Sequence, residues 1–383
     1  MIKATEINCS GCRACENVCP THCISFLPNK NGFLIPYVDV NLCVNCGLCE
    51  KTCPIHNGID RFQVKKVYAA YAVRKEAVNS TSGGIFYILS DNFIVKGGVV
   101  FGAAYDSFFN LQIREAQNRE DLIRLQGSKY FQADTADTYE TVKQHLGKGK
   151  KVLYSGTPCQ IAGLRNALEK TDVKNLLTIE IICHGVPSPL MFKDYLKWLE
   201  AKKKKQISSY QFRTKKISKC DFQCLIKYTD GNEETISGFK DPFYKKFMAS
   251  VSCREICYKC PFAQKNRVAD ITLGDFWNIE DLDICFGKKN RVSVVLLNTK
   301  AGEKAWNEII DSIIVRETDW KLVVKRKWKF ASATLKPDNY FAYGDIENKY
   351  EFFEAVFKEK RNKKKEIFYR LPVILRRVFK KVL

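Results

Sequence analysis

Several things are missing from this 383-residue sequence, and each absence removes a class of protein. No apolar run reaches 18 residues, so no transmembrane helix is expected. The first cysteine falls at residue 9, leaving no room for a signal peptide ahead of it. There is no C-x2-C-H haem attachment and no clean G-x-G-x-x-G dinucleotide turn. Acidic residues are scarce beside basic ones, 42 against 63, for a net charge of +21. That excess invites a nucleic-acid reading, but residues 358–383 alone hold 11 Lys/Arg and two Glu, a net of +9. No basic stripe interleaved with stacking aromatics runs through the rest, so no nucleic-acid partner is expected.

What the chain has in abundance is cysteine, 17 residues in all. Without an export signal, so many thiols point to a reducing cytoplasm and to metal ligation instead of disulfides. Nine of them lie between residues 9 and 54, eight of these in two copies of C-x2-C-x2-C-x3-C-P. This is the bacterial ferredoxin run, in which three close thiolates wrap one cubane and the fourth ligates the other cluster. One [4Fe–4S] cluster then takes Cys9, Cys12, Cys15 and Cys53, and the second takes Cys43, Cys46, Cys49 and Cys19. Zinc sites use pairs of C-x2-C, not runs of four. Cys23 falls outside the pattern and reads as a packed thiol.

After a polar joint at 58–66 the sequence alternates strands and helices, with no further internal repeat. The expected fold class is therefore α+β / α/β. A bacterial-type 2[4Fe–4S] ferredoxin domain over residues 1–60 precedes a mixed α/β core in two parts, 67–147 and 148–340, and a basic tail at 350–383. Strands are expected at 67–73, 99–105, 111–116 (an edge), 151–154, 176–182 and 292–298, with a hairpin turn at Asp230-Gly231. Thr157-Pro158 is a strong helix start, N-cap followed by Pro in the first turn. The unit from 151 to 182 reads as a βαβ crossover with parallel strands. Cys159 and Cys183 would thus reach the same carboxyl edge of the sheet, where open α/β sheets bind ligands.

Cys253, Cys257 and Cys260 form C-x3-C-x2-C, three thiolates that call for a fourth. Cys159 or Cys183 can supply it, for a third [4Fe–4S] cluster or for zinc, which also accepts four thiolates. Cys159 has a rival role as a reactive thiol, since free N–H groups at a helix start favour its thiolate. Cys220 and Cys224 read as core thiols, and His22, His56 and His145 join no constellation. A chain of clusters needs an endpoint that handles substrate. The Gly-bearing turns Ser82-Gly83-Gly84 and Gly127-Ser128 can cradle phosphate, as flavin adenine dinucleotide (FAD) would need. A flavin turns one-electron delivery into two-electron chemistry.

The motifs Ser80-Thr81-Ser82-Gly83-Gly84, Gly127-Ser128-Lys129-Tyr130, Gly156-Thr157-Pro158-Cys159-Gln160, Cys183-His184-Gly185-Val186-Pro187-Ser188 and Cys253-x3-Cys257-x2-Cys260 precede Gly274-Asp275-Phe276-Trp277 in that order. The set resembles the coenzyme F-420 hydrogenase/dehydrogenase beta-subunit family over about residues 1–300, in its longer, reductase-type form. The resemblance implies an FAD protein with a cluster beside the flavin, passing electrons between ferredoxin-like clusters and a two-electron carrier. It carries Ser82, Gly83, Gly84, Ser128, Lys129 and Tyr130 over as flavin-region residues, and Cys253, Cys257 and Cys260 as ligands of the flavin-proximal cluster. Lys129 can place positive charge near the flavin, His184 can orient a cluster or move a proton, and Cys159 completes the candidate catalytic set.

The run Lys202–Lys205 reads as a solvated helix end. In residues 363–383, Leu371, Ile374, Leu375, Val378, Phe379 and Leu383 fall at helical spacing opposite Arg376, Arg377, Lys380 and Lys381. Such a basic amphipathic helix suits an anionic membrane surface at the inner face of the cell membrane. The expected function is a cytoplasmic iron–sulfur flavoprotein oxidoreductase that exchanges electrons with a ferredoxin-type or other redox partner protein. The alternative is a non-catalytic electron-transfer subunit of a larger complex.

Overall fold

The computed structural model describes residues 2, 4–73, 80–214, 223–277, 279–282, 286, 291–324 and 331–359. Cys220 and the amphipathic segment 363–383 lie outside them. The N-terminal lobe is built on an antiparallel ribbon of β1 (Ile24–Pro28) and β2 (Leu34–Val38), with Ile24 opposite Val38. Each cysteine loop ends in a short helix, α1 (Ala14–Asn17) or α2 (Leu48–Thr52), entered through a left-handed residue, Arg13 or Gly47. The sequence repeat is thus a repeat of loop and helical turn.

Beyond residue 66 the expected alternation is observed. Eight strands form one mixed sheet: β3 (Lys66–Ala72), β4 (Val99–Tyr105), β5 (Leu111–Ala116), β6 (Val152–Gly156), β7 (Leu176–Ile181), β11 (Ile271–Asp275), β12 (Ser293–Leu297) and β13 (Ile313–Thr318). Between β7 and β11 in the chain, β8 (Ile207–Gln211), β9 (Gln223–Tyr228) and β10 (Glu233–Ser237) form a separate antiparallel sheet whose β9–β10 turn carries Asp230-Gly231. The large sheet runs β13-β3-β12-β11-β7-β6-β4-β5, which leaves β5 at the edge as expected. Strands β4, β6, β7 and β11 are mutually parallel, and β12 is antiparallel to both β11 and β3. The carboxyl ends of β3, β4, β6, β7 and β11 therefore share one edge with the start of β12.

Side-chain alternation divides the core in two. Val99, Phe101, Val152 and Tyr154 face one cluster, packed with Ile161, Phe192 and Tyr195, while Val100, Leu153 and Ile179 face the other, with Ile88 and Trp306. On the first face lie α3 (Thr138–Gly147), α4 (Pro158–Ala167) and α5 (Pro189–Lys203). The helix start at Thr157 is as expected: Pro158 sits in the first turn and Thr157 forms a capping box with Gln160. The Lys202–Lys205 run is not simply solvated. Lys202 binds Glu354 at 2.6 Å, Lys203 binds Glu234 at 2.7 Å and Lys205 binds Asp230 at 2.9 Å. The carboxylates come from distant elements, which is why local sequence gave no sign of them.

The N-terminal lobe docks on α4. Ala14 is fully buried in the first core cluster. Gly163 of α4 is required there, since a Cβ would lie 2.9 Å from the Cys12 sulfur. Arg13 pairs with Asp134 at 2.5 Å, Thr135 donates to the Cys12 carbonyl at 3.1 Å, and Gln132 donates to the Ser10 carbonyl at 2.7 Å.

Candidate iron–sulfur and redox site

Cys9, Cys12, Cys15 and Cys53 are all buried, and they lie close enough that ionising one raises the pKa of the next. Burial is the larger cause and pushes Cys12 up to about 12. Cys19, Cys43, Cys46 and Cys49 line a second cleft of about 360 Å3 at the other end of the lobe. The structure thus brings together the cysteines of each set. Cys23 is buried as expected of a packed thiol, yet it also lines this cleft, 3.4 Å from the Cys19 sulfur. Cys224 is a fully buried core thiol.

A third thiol cleft, about 630 Å3, opens at the carboxyl edge of the large sheet. Cys159 comes from the start of α4, after β6, and Cys183 from the turn after β7, so the βαβ unit does deliver both to one edge. Cys257 and Cys260 arrive on a 3-10 turn at 255–259 and its exit. Cys253 is fixed by an antiparallel bridge to Pro187 and by hydrogen bonds Arg254 N–H to Val186 C=O (2.9 Å) and Ser188 N–H to Ser252 C=O (3.2 Å). Gly185 has φ +98°, and a Cβ there would lie 3.3 Å from the Cys253 sulfur, so only glycine fits. Four thiols, Cys159, Cys183, Cys257 and Cys260, line the cleft, and Cys253 lies close enough to Cys183 and Cys257 to raise their pKa, so five thiols gather here, one more than a four-ligand site needs. His184 and Ser10 line it too, which ties the cleft to the Cys9–Cys15 loop. Among the described residues no three His, Cys, Asp or Glu side chains gather tightly enough for a single metal ion.

For Cys159, burial works against the helix start. Burial outweighs the helix terminus and pushes its thiol up to about 11, although Thr157 Oγ1 lies 3.1 Å away.

Next along the same edge is a polar cluster around the expected flavin turns. Thr81 and Ser128 hydroxyls are 2.8 Å apart, and Ser293 Oγ lies 3.0 Å from both Ser82 Oγ and the Gly83 N–H. Arg291 donates to the Thr81 carbonyl at 3.0 Å and the Thr214 carbonyl at 3.2 Å. Arg213 pairs with Asp275 and lies 5.4 Å over the Trp277 ring. Gly84 is the left-handed N-cap of the Ile85–Val95 helix. Register places this cluster beside the third cleft: Leu273 lies opposite Ile181, and Ile182 N–H bonds Leu273 C=O, so Asp275 and Cys183 end neighbouring strands.

The six flavin-region residues do not act alike. Ser82, Gly84 and Ser128 face this edge. Gly83 instead permits packing, since a Cβ would meet the Ala70 carbonyl at 2.3 Å. Lys129 turns inward, with its ammonium among the carbonyls of Ala103 (2.8 Å), Gln126 (2.8 Å), Leu125 (3.1 Å) and Arg124 (3.2 Å). Tyr130 stacks on Phe247 with ring centroids 4.6 Å apart. Arg213, Arg291, Ser293 and Arg254 are the site residues that sequence reading missed. Only Arg254 carried a signal, its place directly after a motif cysteine.

The cysteine-lined lobe and the thiol cleft at the sheet edge together define an iron–sulfur electron-transfer protein. Residues 8–57 match the 4Fe-4S dicluster domain, and residues 149–321 match the C terminus of the coenzyme F420 hydrogenase/dehydrogenase beta subunit. The second half of the chain is thus similar to that family of oxidoreductase subunits, and a dicluster domain stands in front of it. Among solved structures, a chain of the F420-reducing [NiFe] hydrogenase complex from Methanosarcina barkeri aligns at 17% identity and a TM-score of 0.47. The alignment covers 70% of this chain and 90% of that one. Comparison with curated proteins gave no match.

Proposed function

We propose that this protein is an iron–sulfur flavoprotein oxidoreductase that takes electrons from a ferredoxin-type partner and delivers them to a two-electron carrier or substrate at the sheet edge. One observation carries the reading: Cys12 of the N-terminal lobe and Cys159 of the third cleft lie close enough to influence each other's ionisation, across the start of α4. Clusters bound at the two sites would supply one-electron transfer across that short gap.

In this reading Cys9, Cys12, Cys15 and Cys53 hold the inner cluster, and Cys19, Cys43, Cys46 and Cys49 hold the outer one. Cys253, Cys257 and Cys260 hold a third, with Cys183 or Cys159 as fourth ligand. Cys46 is exposed, which makes the outer site the entry point for the partner. The FAD would supply the change from one- to two-electron chemistry. Arg291 and Arg213, the Ser82, Ser128 and Ser293 hydroxyls and the helix terminus at Gly84 fit the phosphates of such a group. Gly83, Lys129 and Tyr130 support the shape of the turn. His184, in the cleft wall, is the group available to move a proton between cluster and flavin sites.

The compartment proposed is the cytoplasm, with peripheral membrane contact through residues 363–383. Among the described residues no helix is long and apolar enough to cross a membrane. Equal liposome flotation with and without residues 363–383 would remove the membrane contact from this scheme. The main test is to purify the chain without oxygen, reconstitute it and count iron and flavin together. About 12 irons and one FAD are expected. About eight irons and no flavin would reduce the protein to a relay.

A further inference from the structure

We infer that Arg254 is an electrostatic positioning residue shared by the inner lobe cluster and the sheet-edge cluster, a fixed cation that favours the reduced state of both. The inference rests on the reading that both thiol sites hold clusters.

Arg254 follows Cys253 directly and reaches back to the Cys9 loop. Its guanidinium donates to the Cys9 carbonyl at 3.2 Å and to the Leu34 carbonyl at 3.1 Å from Nη2 and 3.2 Å from Nη1. It lies 4.8 Å over the Phe33 ring. The residue is only 3% exposed, and its Nε has no hydrogen-bond partner. Gly11 is shaped around it: φ is +69°, and a Cβ there would sit 2.7 Å from Nη2. A second loop has therefore been pared to glycine so that this one side chain can lie against the Cys9–Cys12 turn.

The other two fully buried arginines among the described residues have carboxylates, Arg213 with Asp275 and Arg267 with Glu180. Arg254 pairs with no carboxylate among the described residues. A buried guanidinium with only carbonyls for company is strongly disfavoured, so opposite charge is expected nearby. The groups at hand are the thiols on either side, Cys9 across the loop and Cys253 and Cys159 at the cleft. Four thiolates around a cubane leave a site net negative in either oxidation state. Each electron that arrives adds one negative charge, with no bond broken and no proton moved. Arg254 stabilises that added charge at whichever of the two sites receives it, and so keeps the two matched for transfer in either direction. It touches no reacting atom, which makes it a positioning residue and not a catalytic one.

The experiment uses the full chain, reconstituted without oxygen, as wild type, Arg254→Gln and Arg254→Lys. Each form is read by iron content and by redox titration followed by electron paramagnetic resonance. In Arg254→Gln the inner and sheet-edge clusters should each become harder to reduce by about tenfold, roughly 59 mV for one electron. The outer cluster should stay within about twofold, and Arg254→Lys should restore most of both shifts. Full iron with unmoved potentials would overturn the inference, as would an equal shift of all three clusters. If Arg254→Gln fails to load iron, Arg254→Lys decides alone: near-normal potentials support a role for the charge, and two shifted potentials refute it. Wild type with fewer than three clusters would instead refute the underlying reading.

Discussion

In the N-terminal lobe, three of the four thiols of each set come from one short loop, and the fourth comes from the other copy of the same motif. At the sheet edge, Cys159, Cys183 and the Cys253–Cys260 loop come from three segments that only the register of β6, β7 and β11 brings together. The first arrangement is local and depends little on the rest of the fold. The second is as good as the sheet beneath it. The two regions should therefore fail differently, and perturbing the core should empty the edge site while sparing the lobe.

The strongest way to test this contrast is the ion pair under the edge site. Glu180 on β7 is fully buried and bonds Arg267, and Thr272 also donates to it at 2.7 Å. Glu180→Gln leaves a buried guanidinium uncompensated, at an expected cost of about 3–5 kcal/mol. Denaturant titration should show that loss, and iron analysis should show about four irons missing from the edge site with the lobe clusters kept. Loss of lobe iron in the same proportion would contradict the contrast.

Gly163→Ala probes the seam between the two regions. Its new methyl would press on the Cys12 sulfur from 2.9 Å, and overpacking of this kind costs about 1–3 kcal/mol. The inner cluster's paramagnetic signal should broaden or shift while the outer one stays unchanged. Identical spectra would mean that the lobe yields freely on α4.

The surplus thiol offers a finer test. Cys183→Ser and Cys159→Ser are each compared for iron content. Loss of about four irons in one variant alone names the fourth ligand, and the other cysteine is then a spectator in the cleft wall. Loss in neither would mean that the two substitute for each other.

The same contrast decides what could be read from the sequence. The lobe was legible because its ligands are adjacent in the chain, as was the βαβ unit, whose helix start at Thr157-Pro158 and apolar strands are local signals. The convergence of Cys159 and Cys183 followed from topology alone. Arg291, Arg213 and Ser293 were not legible, because their partners Thr81, Asp275 and Ser82 are remote in sequence. The Lys202–Lys205 run misled for a related reason, since the acids that pin it belong to β10, the β9–β10 turn and a C-terminal helix. Lys129 misled most, because a lysine after a glycine turn looks exposed until its carbonyl acceptors are known.

That lysine yields the smallest expected effect. Burial pushes the Lys129 ammonium down to about 7 from an ordinary 10.5, while the surrounding carbonyls oppose the shift by favouring the charged form. With the folded pKa below the unfolded one, the unfolded chain binds more protons between those two values. Stability contributed here therefore rises as pH climbs from about 7 towards 10, and the burial penalty is fully present below 7. Lys129→Met removes that slope and leaves the carbonyls of Arg124, Leu125 and Gln126 without their donor, at about 1–3 kcal/mol. Urea midpoints measured from pH 7 to pH 9 should show a deficit that widens with pH. A constant deficit would mean that the carbonyl cage holds Lys129 charged throughout, and that its pKa is set by the helix end it caps and not by burial.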